Sequence, residues 1–204
     1  MTLPPPWFIH PQLTAQILQK VADWLLEEYY STLDDLSRDT DSGYGRGCTA
    51  FDRQKNRILK ECASGKWAWL SVSNPNNDMV FSISGIPCRF SNDDPMNPKK
   101  RAVTECNEYQ SAFQEFSAPS DASRFCFVID RGLSGAEDPH VEFLGFDKFG
   151  TVACRWVSDT ARALYLESEQ EAPVEQVRKP TVAPRKPDLG RTAASVSERS
   201  DLEP

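Results

Sequence analysis

No run of apolar residues in this 204-residue sequence approaches the roughly 20 that a helix needs to cross a bilayer, so no membrane span is expected. The opening MTLPPPWFIHPQ lacks a basic stretch followed by an apolar one, and no export leader is expected either. Histidine is scarce. His10 and His140 are the only two, each beside a proline, and neither stands at ligand spacing from a cysteine. That removes most routes to a histidine-activated nucleophile and to a zinc site. Cysteine is present six times but never as a CxxC pair. Without a leader, the expectation is reduced thiols buried in a core, and a cytoplasmic protein. Basic charge is also in short supply, with 23 Lys and Arg against 30 Asp and Glu and a net charge of −7. Counterion release needs a field of cations, so this balance argues against nucleic acid as a partner.

Aromatic residues stop after Tyr165. From Ser168 onward the sequence is rich in Pro, Glu, Arg and Ser, without periodicity, and carries six Lys and Arg against seven Asp and Glu. Such a segment cannot bury enough apolar surface to offset the entropy of ordering it. The expected organisation is therefore an α+β domain over residues 1–167 and a disordered tail over 168–204.

Within 1–167 the apolar residues do keep regular periods. Leu13, Ile17, Val21, Trp24 and Leu25 recur at spacings of three and four, which puts them on one helix face. A second helix is expected from Thr49, as N-cap with Asp52 at the reciprocal position, to a left-handed C-cap at Gly65. KWAWLSVS and MVFSISG read as strands joined by the turn NPNND, with IPCRF either prolonging the second or starting a third. Ala102, Cys106, Tyr109, Phe113 and Phe116 give a third long helix. RFCFVIDR, HVEFLGFD and TVACRWVS give three more strands, the last two linked by DKFG, and a helix over 159–167 closes the domain. The order ααββαβββα implies two layers: an antiparallel sheet of about five strands with the long helices on one face.

One phase of the strands (Met79, Phe81, Ile83, Phe125, Phe127, Ile129, Val141, Phe143, Val152 and Trp156) is the core face. The other phase includes Val128, Leu144 and Phe146, and is more apolar than a wetted surface usually is. Something covers it: the second helix, another protein, or a second copy of this chain.

The stretch SGYGRGCTAFDRQKNRILKE, residues 42–61, is the one segment with the look of a ligand site. Its glycines lack the spacing of a dinucleotide fingerprint, and no GK[ST] follows. What remains is general: backbone amides near a helix start, with Arg46 beside them, suit an anion. Arg53, Arg57 and Lys60 form a basic stripe on the expected helix. Its plainest fate is pairing with Glu27, Glu28, Asp34 or Asp35. Asp93, Asp94, Asp130 and Asp147 lie near strand ends, but Glu142-Phe143-Leu144 breaks the acid–x–lysine pattern of a nuclease, and NDDP has the chemistry of a turn. No catalytic set, metal or cofactor is expected.

The sequence thus leads to a non-enzymatic protein-interaction module, of adaptor, chaperone-like or regulatory kind. It would bind another protein or itself through Val128, Leu144 and Phe146, with Arg53 and Arg57 as a second contact. The alternative is a regulator that binds a phosphate-bearing ligand or nucleic acid through Gly45, Arg46, Gly47, Arg53, Arg57 and Lys60.

Overall fold

The computed structural model describes residues 3–115, 122–132 and 138–159. The expected closing helix and the expected tail boundary lie outside the described residues. After a short 3-10 turn at Pro6–Phe8 come α1 (Ala15–Asp35), α2 (Gly43–Ala63), β1 (Leu70–Asn74), β2 (Val80–Ile83) and β3 (Ile86–Asn92). Then follow α3 (Arg101–Thr104), α4 (Glu108–Gln114), β4 (Arg124–Asp130), β5 (His140–Phe146) and β6 (Val152–Val157). The fold is α+β.

Six strands, not about five, form one sheet in the order β1-β2-β3-β4-β5-β6. It is mixed: β3 and β4 run parallel, and every other neighbouring pair is antiparallel. Two three-stranded meanders are thus joined edge to edge by the α3–α4 crossover. Antiparallel neighbours need only a tight turn, whereas the parallel pair requires a connection long enough to return the chain to the same end. IPCRF is the separate third strand that makes the first meander complete.

The core lies between the sheet and α1–α2. Trp24, Leu25, Phe81, Phe125, Phe127 and Phe143 are almost fully buried there. Phe127 and Phe143 meet edge to face at 4.6 Å, and Phe125 stacks on Phe143 at 5.6 Å. Val152 does not belong to this face. A register shift at Gly145/Phe146 opposes Val152 to Phe146 and moves it to the second side. Trp67 and Trp69 precede β1 rather than lying in it, and pack beside Trp24.

The second sheet face is covered by the chain itself. Val128, Leu144 and Phe146 are buried in a small cluster with Cys126 and Val103 of α3. Arg124 lies over the Phe146 ring at 4.3 Å and donates to the Val103 carbonyl. Val103 of α3 and the Arg124 side chain pack against this cluster, α2 packs on the other face, and these three side chains offer no open surface. The expected single third helix is two short ones. Glu105 is extended, and Asn107 restarts the helix by accepting from the Gln110 amide. Arg89 donates to the Arg101 and Glu105 carbonyls at that break, the first of which also accepts the Glu105 amide.

Two local expectations stand. Gly65, at φ 66°, follows the C-cap of α2. Gly150, at φ 84°, closes the β5–β6 turn, where Asp147 accepts from the Phe149 and Thr151 amides. Among the described residues no helix is long and apolar enough to cross a membrane.

Candidate functional site

The second helix begins seven residues earlier than its composition suggests. Ser42 is the N-cap, accepting from the Gly45 amide at 3.0 Å, so Gly43, Gly45 and Gly47 sit in the first turns of α2 rather than in a loop. Gly43, Arg46, Gly47 and Ala50 then share one face at helical spacing. That face lines a cavity of about 270 Å³, closed on its other sides by Tyr29 and Leu33 of α1, Asn92 at the end of β3, and Arg131 and Gly132 just after β4. The cavity stands outside the carboxyl ends of the two parallel strands.

Its floor is fixed by a buried amide pair. Asn92 Nδ2 donates to Gln54 Oε1 at 2.8 Å, while Gln54 Nε2 donates to the Leu25 carbonyl at 2.9 Å and lies 3.3 Å from Asn92 Oδ1. One side chain of α2 thereby ties α1 to β3 beneath the cleft.

The electrostatics of the cleft differ from those of the rest of the surface. Arg53 pairs with Asp35 at 2.7 Å, and Arg57 lies between Glu27, Glu28 and Glu61 at 3.1–3.6 Å. Arg89 pairs with Asp78, Arg101 with Glu105, and Arg155 with Glu142. Arg46 and Arg131 have no ion-pair partner among the described residues. Arg46 reaches only the Leu36 carbonyl, at 3.4 Å, and Arg131 Nε is shielded from solvent without an acceptor. The acids nearby are occupied elsewhere. Asp93 accepts from the Asp94, Lys99 and Lys100 amides, and Asp130 from the Gly132 amide. Burial pushes the Tyr29 hydroxyl above its ordinary pKa, against the pull of Arg131 and Arg46. Desolvation, then the nearby Arg131, lowers the pKa of Lys100 from its ordinary value. Two unpaired guanidiniums facing a common hollow favour an anion.

Of the residues singled out from the sequence, Arg46 and Gly47 line the cleft, and Gly45 is spent on the helix cap. Arg53 and Arg57 are held by the acids of α1 and of α2 itself, and Lys60 is exposed one turn further along. None of these three reaches the cavity. Tyr29, Asn92 and Arg131 were missed, since each comes from a different element. The one available signal was Asp-Arg-Gly at the end of a strand, a cation where the chain leaves the sheet.

The glycines make a quantitative point. A glycine inside a helix costs about 1 kcal/mol relative to alanine, and a Cβ built at Gly43 or Gly47 meets nothing within 4 Å. Packing therefore does not require them. We expect Gly47→Ala to raise unfolding stability by about 0.5–1 kcal/mol in urea denaturation. A loss of stability would mean that the bare backbone serves packing after all.

The other candidates are occupied structurally. Asp94 and Asp147 bind turn amides, and His10 contacts the Ala122 carbonyl at 3.0 Å and packs on Phe125. His140 lies 3.6 Å from Glu142, which Arg155 already holds. Among the described residues no three His, Cys, Asp or Glu gather as a metal site would require. All six thiols are free. Burial pushes Cys62 up to about 11, Cys126 and Cys154 to about 12, and Cys88 well above the usual thiol range, while Cys48 and Cys106 are exposed. A thiol reagent at pH 8 is expected to label Cys48 and Cys106 fast, the half-buried Cys62 slowly, and Cys88, Cys126 and Cys154 only after denaturation. Rapid labelling of four or more would contradict the packing described here.

Comparison with known proteins finds no matching family model, no matching curated relative and no matching solved structure.

Proposed function

We propose that this chain is a non-enzymatic receptor domain for an anionic ligand, held between Arg46 and Arg131 in the cleft at the carboxyl ends of β3 and β4. The observation that carries this reading is the pair of guanidiniums that face one cavity with no carboxylate among the described lining residues, in a protein whose other sheet- and helix-borne arginines are mostly paired. It keeps Arg46 and Gly47 from the glycine-rich segment and replaces the Arg53–Lys60 stripe with Arg131. Among the described residues the lining contains no carboxylate, histidine, serine or cysteine. Tyr29 is its one ionisable hydroxyl, and its proton is held more firmly than usual. Nothing there attacks a substrate or relays a proton, which supports binding rather than turnover.

Protein interaction through the second sheet face loses the observation that motivated it, because Val128, Leu144 and Phe146 lie beneath α3. A partner could still be the carrier of the anion.

Charge-assisted hydrogen bonds contribute about 1.5–3 kcal/mol each, against an association cost of several kcal/mol. Micromolar to millimolar affinity for a simple anion follows. The test is thermal unfolding in sodium phosphate or sulfate against sodium chloride at matched ionic strength. A ligand at 100 times its Kd stabilises by about 2.7 kcal/mol, which for a chain of this size raises the Tm by roughly 5–10 °C. A phosphate or sulfate curve that superimposes on chloride throughout would remove the proposal.

A further inference from the structure

We infer that the anion this cleft receives is a phosphate monoester, whose organic part fills the side formed by Leu33, Ala50 and the bare backbone of Gly43 and Gly47. The inference rests on the anion-binding reading above and adds the ligand's class.

Three features of the cleft carry it. The first is charge. Two guanidiniums with no ion-pair partner among the described residues match a dianion better than a monocarboxylate, and their planar forks suit phosphoryl oxygens. The second is size. At about 30 Å³ per water, the 270 Å³ cavity holds several times the volume of a bare phosphate group. The third is the mixed lining. Tyr29, Arg46, Asn92 and Arg131 bring polar groups, while Leu33, Ala50 and the two glycines add apolar surface. Asn92 has exchanged both of its amide functions with Gln54, leaving one N–H and one lone pair for a ligand. Among the described residues the lining has no carboxylate to partner an ammonium group, which disfavours a zwitterion such as free phosphoserine.

The charged groups that act on the site are few. Arg46 faces it from α2 and Arg131 from the segment after β4. Tyr29 faces it from α1. Lys100, Asp93 and Asp130 lie near enough to act through charge. No histidine lines the cleft. Between pH 5 and 7 the steep pH dependence therefore belongs to the ligand, whose second ionisation falls near pH 6.

Calorimetric titration of the full chain at constant ionic strength tests this with five probes: n-butyl phosphate, inorganic phosphate, sulfate, butyrate and a capped phosphoserine peptide. Butyl phosphate is expected to bind at least tenfold more tightly than inorganic phosphate and at least thirtyfold more tightly than butyrate. Its affinity should fall about tenfold per pH unit below its second ionisation, near pH 6, while that of sulfate stays flat. Leu33→Ala, at a partly exposed position, should erase most of the preference for the ester and leave inorganic phosphate within about twofold. Tight binding of the capped peptide would also support the monoester and identify a protein as its source. Inorganic phosphate or butyrate binding as tightly as the ester would overturn the inference and leave the anion site standing. If none of the five probes binds, both fall together.

Discussion

Replacing both Arg46 and Arg131 with alanine is expected to weaken phosphate binding by at least about 100-fold while leaving the protein as stable as before. The two effects come from the same fact. Each guanidinium offers an incoming oxyanion charge-assisted hydrogen bonds contributing about 1.5–3 kcal/mol, and the two together account for roughly two to four decades of affinity. In the unliganded protein neither has a carboxylate to lose: Arg46 touches one carbonyl at 3.4 Å, and Arg131 Nε has no acceptor. Removing two neighbouring like charges relieves repulsion, so the Tm should hold or rise slightly. Arg53→Ala plus Arg57→Ala should behave in the opposite way. These side chains pair with Asp35, Glu27, Glu28 and Glu61, so their loss should cost stability. The cost should stay near 1–2 kcal/mol, because partly exposed pairs are screened, and binding should be unaffected. Calorimetry and denaturant curves on the two double variants check all four expectations. A large loss of stability in the first variant would mark Arg46 and Arg131 as structural.

Gly145→Ala is expected to be the most damaging single-methyl change in the chain. Gly145 lies in β5, where a Cβ would come within 2.4 Å of Cys154 Sγ, 2.8 Å of a Phe125 ring carbon and 2.9 Å of the Ala122 Cβ. Ala122 cannot readily retreat, because its carbonyl is held by His10 and the following Ser123 amide donates to Phe146. The register shift at Gly145/Phe146 uses the same close approach to turn Val152 onto the second face. Overpacking a dense interior typically costs about 1–3 kcal/mol, and here two of the three clashes are with rigid groups. A loss of about 3 kcal/mol or more in urea unfolding is the expected result. A loss under about 1 kcal/mol would mean that β6 and the 122–125 segment yield easily.

What could be read from the sequence was mostly what local periodicity carries. The helical spacing of Val21, Trp24 and Leu25 placed α1, and the alternation in Phe125–Ile129 and Val141–Phe143 placed the central strands on their core face. Where several residues acted together across the chain, the reading failed. Glycines at 43, 45 and 47 look like a loop by propensity, but the Ser42 cap and the packing of α2 on α1 outweigh about 2–3 kcal/mol of poor propensity. The 102–116 period runs unbroken through Glu105–Asn107, yet Asn107 caps a new helix and Arg89 takes the Glu105 carbonyl. The parallel pairing of β3 with β4 left no mark in either strand, since it depends on the path of the crossover. The cleft inherits this problem. Arg46 and Gly47 were visible as members of one segment, whereas Tyr29, Asn92 and Arg131 meet them only because three other elements end at the same corner of the sheet.

Arg46 and Arg131 report on bound anion through their own resonances. Arginine Nε–Hε correlation spectra recorded during a phosphate titration should show Arg46 and Arg131 shifting saturably with one common Kd, while Arg53 and Arg57 stay in place. Shifts confined to Arg53 and Arg57, or no arginine shift at phosphate concentrations well above the millimolar range, would contradict it.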